Sequence, residues 1–348
     1  MSFREAVDPR TLEFSEKILE AWRIPAAIDL FCRRGAKSGA ALAAEARRGG
    51  WGLTALTAET GSDGPRALKA ARLLAAEDGA RLWPLPAALR ADGTMAEIGL
   101  MAQDGENLFC VPEGFEDWRR LRALFCYASG LKCRLAVRPC LNELCVSGQI
   151  NDGDAADRLG MKGVPAVAEA VAVAAVLTLA GEWGVPLHVR GVSCRASLEA
   201  IRAARDGGRD VTCDVPFMNL LYTEDEYDAA SLDGALKVWP VLRGADDRVA
   251  LWQALDEGLV AAVVSNHCAR SADQLSLPFE EIPFGSEKLD GVLPALLNGW
   301  EAQGRPCGVA ALLAALGEGP AKVLGRPAAG HTLLVCAESG WRAFYESE

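Results

Sequence analysis

The chain has 348 residues, half of them apolar and 24% charged, with a formal net charge of −11. That length can bury a large core, as one big α/β barrel or as two ordinary domains. The acidic balance argues against a nucleic-acid surface, and no apolar run reaches the roughly 20 residues a membrane span needs. The most apolar stretch, Ala166–Ala180, is short and interrupted by Glu169. The opening MSFREAVDPR lacks the apolar core of a signal peptide. Eleven scattered cysteines with no CxxC pair read as reduced thiols used as small hydrophobes, which fits the cytoplasm.

Taken in chain order, short apolar strands are expected at Ala27–Phe31, Gly52–Leu56, Leu82–Leu85, Asn107–Val111, Arg134–Val137, Pro186–Val189, Asp210–Val215 and Leu259–Ser265. Helical patterns lie between or after them at Gly39–Arg48, Pro65–Glu77, Phe115–Ser129, Val164–Trp183, Arg195–Asp206, Asp246–Glu257 and Leu289–Gln303. Glycine turns such as Arg48-Gly49-Gly50 close several of them. Eight strands alternating with helices predict a parallel (β/α)8 barrel over residues 26–325. A doubly wound open sheet is the alternative, though no GxGxxG follows the first strand. Residues 1–25 and 326–348 read as remnants of a small satellite β-structure, with one β-like segment, Thr332–Ala337, and an aromatic tail, Trp341–Tyr345.

Several segments together resemble the longer, type I dihydroorotases of the amidohydrolase superfamily. Ile28-Asp29-Leu30 is similar to that family's opening strand, and Ile150–Gly153 to its INEG-like turn. His188–Ser193 (HVRGVS) resembles HIQHVS, Leu220–Glu224 resembles LLFTE, and Val238–Arg243 (VWPVLR) resembles VNPPLR. Pro278–Gly285 (PFEEIPFG) is close to a family segment, and the segments keep the family's order over about residues 26 to 335. The resemblance implies a (β/α)8 barrel with a truncated satellite β-structure.

It also implies where the chemistry should sit, and there the residues change. The metal-binding HxH pair falls on Phe31 and Arg33. The bridging carboxylate falls on Pro112, with Glu113 beside it. HCED becomes Pro139–Asn142, the next histidine ligand becomes Gly191, and the aspartate that binds metal and moves the proton becomes Asn266. Of the substrate-binding positions, the arginine falls on Gly35 (or, with a one-residue slip, Arg34), and the others on Glu59, Asn219 and Trp239. His267 alone keeps its family position.

A metal-activated water needs about three protein ligands and an open position, and an amide cannot serve as the base. The three histidines of the chain, His188, His267 and His331, are too dispersed to rebuild a zinc site. No metal or other cofactor is therefore expected, and no catalytic residue is assigned. A site of Cys140, Cys268 and Glu113 is a further alternative, whereas Cys32 should face away from the mouth by strand alternation. His267 is expected as a satisfied structural histidine, His188 as a packed or hydrogen-bonded strand residue, and Glu59 and Glu113 as solvated loop carboxylates. Arg33 stands where a cation once sat, with Glu59, Glu113 or another acid as its partner. There is no GxSxG elbow and no Walker A loop.

The resemblance implies a pseudoenzyme: a non-catalytic subunit that binds the aspartate carbamoyltransferase catalytic subunit in a cytoplasmic hetero-oligomer of pyrimidine biosynthesis. The tail Trp341–Tyr345 is a candidate anchor for that partner, against packing onto its own barrel. Two other classes stay open: an active cyclic-amide hydrolase with a rebuilt or metal-free site, and a small-molecule sensor using the old cleft.

Overall fold

Fourteen strands can be followed in a computed structural model that describes residues 17–57, 62–77, 81–115, 117–228 and 232–347. They are β1 (Ile18–Pro25), β2 (Ala27–Gly35), β3 (Trp51–Leu56), β4 (Leu82–Pro84), β5 (Leu108–Cys110), β6 (Arg134–Val137), β7 (Ile150–Asn151), β8 (Gly163–Val164), β9 (Leu187–Val189), β10 (Val211–Pro216), β11 (Val260–Val264), β12 (Cys268–Ala269), β13 (His331–Ala337) and β14 (Gly340–Glu346). Eight of these, β2 to β6 and β9 to β11, are the strands expected from the apolar pattern. They run parallel in the order β2-β3-β4 and β5-β6-β9-β10-β11.

The two arcs join into a ring. Between β4 and β5 the chain just after β4 bridges across, with Cys110 N–H donating to Pro86 O and Ala88 N–H to Cys110 O. Between β11 and β2 the seam is closed by side chain and insertion. Asp29 accepts from both the N–H (2.8 Å) and the hydroxyl (2.6 Å) of Ser265. Near the other end of the seam, Ala315 O and Leu316 O take the N–H groups of Val263 and Ile28. The open doubly wound sheet is thereby excluded, and the fold is an α/β barrel of the (β/α)8 kind.

Apolar residues divide by side. Ile28, Leu30, Leu53, Ala55, Leu108, Ala136, Ala262 and Val264 form a cluster within the ring, with Val323 and Leu324 of the short helix Glu318–Leu324 packed against it. Leu135, Val137, Leu187, Val189, Val211, Val215 and Val263 join the larger cluster under the helices. Cys32 also lies in that outer layer. The alternation along β2 slips once, at Phe31, where φ is +61° and the register with β3 shifts. This bulge lets Phe31 and Arg33 both face the mouth, with Cys32 outside.

Helix boundaries follow local chemistry. Ser38 accepts from Ala41 N–H to start Gly39–Arg48, and Asp117 accepts from Arg120 N–H to start Trp118–Ala128. Gly184, at φ +62°, stops Ala166–Trp183. That helix is long and apolar enough, by length and composition alone, to cross a membrane. Here it is a barrel helix. Ala172, Val173, Val176 and Ala180 are buried, and it packs on Trp118–Ala128 and Arg195–Asp206.

Both ends of the described chain meet in one antiparallel sheet, β1-β13-β14. The aromatic tail is not a loose anchor but strand β14. Trp341 is buried, its ring 4.3 Å from Trp22, which in turn meets Trp300 edge-on at 6.0 Å. Trp341 thus packs inward because its strand pairs with β13 and lies over helix Val292–Ala302. Residues 1–16, part of the expected N-terminal remnant, lie outside the described residues. None of the eleven cysteines forms a disulfide, and seven are buried as expected of small hydrophobes.

Candidate functional site: an arginine-filled barrel mouth

The carboxyl ends of the barrel strands, where such folds carry their sites, converge on one carboxylate. Glu113, just past β5, receives Arg33 Nη1 at 2.9 Å, Arg138 Nη1 at 3.2 Å and Arg190 Nη2 at 2.8 Å. The arginines come from β2, from the end of β6 and from the end of β9. Glu113 is therefore not the solvated loop carboxylate its surroundings in the sequence suggest. Burial works against its charge, but the three guanidiniums hold its carboxyl well below the usual carboxylate range. The Arg190 guanidinium also lies 4.3 Å above the Phe31 ring, which stacks on His188 at 5.2 Å.

Behind this cluster His188 is fully buried. Its Nε2 meets Asp214 Oδ2 at 2.8 Å and its Nδ1 meets Thr212 Oγ1 at 2.8 Å. Burial lowers its pKa against the opposing pull of Asp214, so the neutral ring donates Nε2–H to the carboxylate. The other Asp214 oxygen accepts from Gly191 N–H at 2.7 Å. Beside it a second network is closed on itself. Glu169 accepts from the N–H and hydroxyl of Ser193, and Arg243 donates to Ser193, Asn151 and Val164 O.

Of the positions singled out in the sequence, Phe31 and Arg33 join the Glu113 cluster, and Pro112 lies directly before Glu113. Pro139, Gly191 and Trp239 line a single small cavity with Arg138 and Cys140. Asn266, at φ +52°, donates Nδ2–H to Trp239 O at 2.6 Å. Asn219 sits away from the cluster, donating to Val241 O at 2.9 Å. Trp239 packs edge-on against Phe284 at 5.1 Å. At Gly35 φ is +59°, and an added Cβ would lie 2.2 Å from Ala269 O, so no side chain fits there. Arg34 is exposed. Glu59 lies outside the described residues.

His267 departs from expectation. It is buried, yet neither ring nitrogen has a hydrogen-bond partner among the described residues. Burial, with Lys37 and Arg33 nearby, pushes its pKa down to about 3, so the ring stays neutral. The Cys140, Cys268 and Glu113 alternative fails as well. Glu113 is taken by arginines, Cys140 Sγ sits 3.4 Å from Cys145 Sγ, and burial pushes its thiol up. No three His, Cys, Asp or Glu among the described residues converge to hold a metal. The donor chemistry agrees. Phe31, Pro139 and Gly191 offer no side-chain ligand, Asn266 turns its amide to a backbone carbonyl, and guanidiniums stand where a cation would. The residues present do not fit a metal ion.

Arg138 and Arg190 escaped the sequence reading. Each directly precedes a position singled out from the sequence, Pro139 and Gly191, and that adjacency was the available signal. The Asp29–Ser265 link was missed too, because its members lie 236 residues apart.

Asp29 gives a pH prediction. Burial raises its pKa to about 7, against the lowering effect of the Ser265 hydrogen bonds. The folded state thus holds a proton that the unfolded chain releases near pH 3.8. This stabilisation is fully present below that pH and is lost as pH rises through about 7. Unfolding free energy should fall over this window by at most about 1.4 kcal/mol per pH unit. Asp29→Asn, which mimics the protonated acid, should flatten the slope in urea titrations at several pH values. An unchanged slope in the variant would refute the assignment.

Comparison with known proteins places these observations in context. No family model matches the chain. It is 34% identical to a dihydroorotase of Listeria innocua over 155 residues, 44% of this chain and 36% of that protein. A Latilactobacillus sakei dihydroorotase is 34% identical over 53% of this chain and 42% of its own length. A dihydroorotase-like protein of Pseudomonas aeruginosa is 30% identical over 72% of this chain and 59% of its own length. The chain thus spans well under two thirds of the curated relatives it matches. Among solved structures, dihydroorotase from Saccharomyces cerevisiae superposes with a TM-score of 0.73 at 12% identity, covering 95% of this chain and all of that one. L-Hydantoinase from Arthrobacter aurescens gives 0.72 at 19%, covering 90% and 75%. These similarities show the amidohydrolase-type barrel, and the sequence relatives are dihydroorotase-like.

Proposed function

We propose that this chain, a barrel with dihydroorotase-like relatives, is a catalytically inactive dihydroorotase homologue. In this reading it acts in the cytoplasm as a structural or regulatory subunit for the aspartate carbamoyltransferase catalytic subunit, in pyrimidine biosynthesis. One observation carries the loss of chemistry: three arginines and Glu113 fill the ground where metal ligands would have to stand. A metal-activated water has no ligand set among these residues, and neutral His267 has no partner to relay a proton to.

The partner rests on the resemblance to transcarbamoylase-associated dihydroorotase homologues. A surface of suitable chemistry supports it. Val167 and Val171 are exposed on one face of helix Ala166–Trp183. The neighbouring loop, tied by Leu141 N–H to Ala168 O, exposes Leu144 and Val146. Clustered exposed apolar side chains are what the centre of a protein interface uses.

Mixing the purified chain with aspartate carbamoyltransferase should give one species heavier than either alone by light scattering. The chain should show no turnover of dihydroorotate or carbamoyl aspartate, with or without added zinc, and Asn266→Asp alone should not restore any. Two separate peaks at micromolar concentration would defeat the subunit reading. Zinc-dependent turnover would defeat the inactive one.

A further inference from the structure

Two of the cysteines touch. Cys140 Sγ lies 3.4 Å from Cys145 Sγ. Seven of the eleven cysteines are buried, but these two are each half-buried. A disulfide bond is about 2.05 Å long, so about 1.4 Å of approach separates this contact from a covalent bridge.

Local backbone sets the spacing. Cys140 lies just past β6, and one 3-10 turn, Asn142–Leu144, runs between the two cysteines. Leu141 N–H donates to Ala168 O, which ties the start of the turn to helix Ala166–Trp183. Leu144 N–H donates to Leu141 O and Cys145 N–H to Asn142 O, so the chain folds back and returns Cys145 to Cys140. The same turn exposes Leu144, and Val146 follows it. Burial and the Cys145 contact push the Cys140 thiol up, so Cys140 stays protonated and the first oxidation falls on Cys145.

We propose that Cys140 and Cys145 are a redox modification site, which a hydroperoxide oxidises to an intramolecular disulfide that locks the turn between them. In the first step Cys145 Sγ attacks one peroxide oxygen and the O–O bond breaks. Cys145 becomes a sulfenic acid, and the leaving hydroxide takes up the thiol proton as water. Cys140 Sγ then attacks Cys145 Sγ. The S–S bond forms, the S–O bond breaks, and the released hydroxide leaves with the Cys140 proton as a second water. The two sulfurs lose two electrons, which the peroxide takes. A thiol reductant reverses the bond, since disulfides that solvent reaches are the labile, regulatory ones. The site does not depend on the partner reading, and its test is separate from the light-scattering one.

The test treats the folded full chain with hydrogen peroxide, blocks remaining thiols under denaturing conditions and maps the peptides. Trypsin spares Arg138 before Pro139, so residues 135–158 leave as one peptide with Cys140 and Cys145 as its two cysteines. Oxidation should make that peptide two hydrogens lighter and unblocked, and a reductant should restore both thiols. Glutamyl cleavage after Glu143 splits the peptide between the cysteines, so its halves should stay joined only in the oxidised form. In Cys140→Ser the sulfenic acid should persist on Cys145 and be trapped by a cyclic 1,3-dione. In the folded chain, nicking after the exposed Glu143 should be slower once the ring is closed. The proposal falls if Cys145 passes to sulfinic acid while Cys140 stays a thiol, or if either cysteine bridges elsewhere. Equal nicking rates in the two forms would overturn the locked turn. The wild-type peptide map does not depend on any variant folding.

Discussion

Glu113→Gln should lower the free energy of unfolding by about 3 kcal/mol. Removing one partner of a buried ion pair costs about 3 to 5 kcal/mol, because the other charge is left unpaired. Glu113 is 23% exposed, which sets the value near the lower end, but it serves three guanidiniums rather than one. Arg33→Gln is the contrast. Arg33 is 28% exposed and its loss leaves Glu113 paired with Arg138 and Arg190, so its cost should stay below about 1 kcal/mol. Urea unfolding of the two variants at pH 7 checks this, and equal losses would show that Glu113 is not the hub. The sign with pH follows from the same contacts. The folded pKa of Glu113 lies below its ordinary value near 4.5. Its contribution is therefore present above that pH and is lost as pH falls through the acid range. Glu113→Gln should lack this part of the acid sensitivity.

Trp341→Ala should cost about 3 to 5 kcal/mol, the range for emptying a buried Trp site. The side chain is 2% exposed and stacks on Trp22, and its backbone N–H is held by Asn298 Oδ1 at 3.0 Å. The loss should appear as reduced stability, with the affinity of the folded fraction for aspartate carbamoyltransferase unchanged. Full stability with lost binding would return the tail to the interface.

These two residues also mark how far a linear reading reaches. The alternation of short apolar strands with amphipathic helices was legible, since a period of two or of 3.6 is a local property. Seven of the eight barrel strands lie within a residue or so of where the pattern placed them, and β2 starts where expected but runs on from Phe31 to Gly35. The side-chain chemistry at three of the singled-out positions was legible too. Phenylalanine, proline and glycine carry no ligating side chain whatever the geometry, so Phe31, Pro139 and Gly191 could be judged by residue type alone.

What fills the barrel mouth was decided by tertiary structure. Glu113 meets Arg190 across 77 residues and Arg33 across nearly a quarter of the chain's length. Only closure of the ring brings the carboxyl ends of β2, β5, β6 and β9 to one place. The bulge at Phe31 turns Arg33 inward, a register slip that strict alternation does not predict. His267 is buried with no partner for its ring nitrogens among the described residues, which its place in the sequence does not reveal. Trp341 became core because β14 pairs with β13 and lays the tail on the barrel. The sequence by itself determined the elements, their order and the non-ligating side chains at Phe31, Pro139 and Gly191, because those follow from local periodicity and residue type. The arginine cluster and the inward tail depended on strand register and ring closure, which sum contacts between residues far apart in the chain.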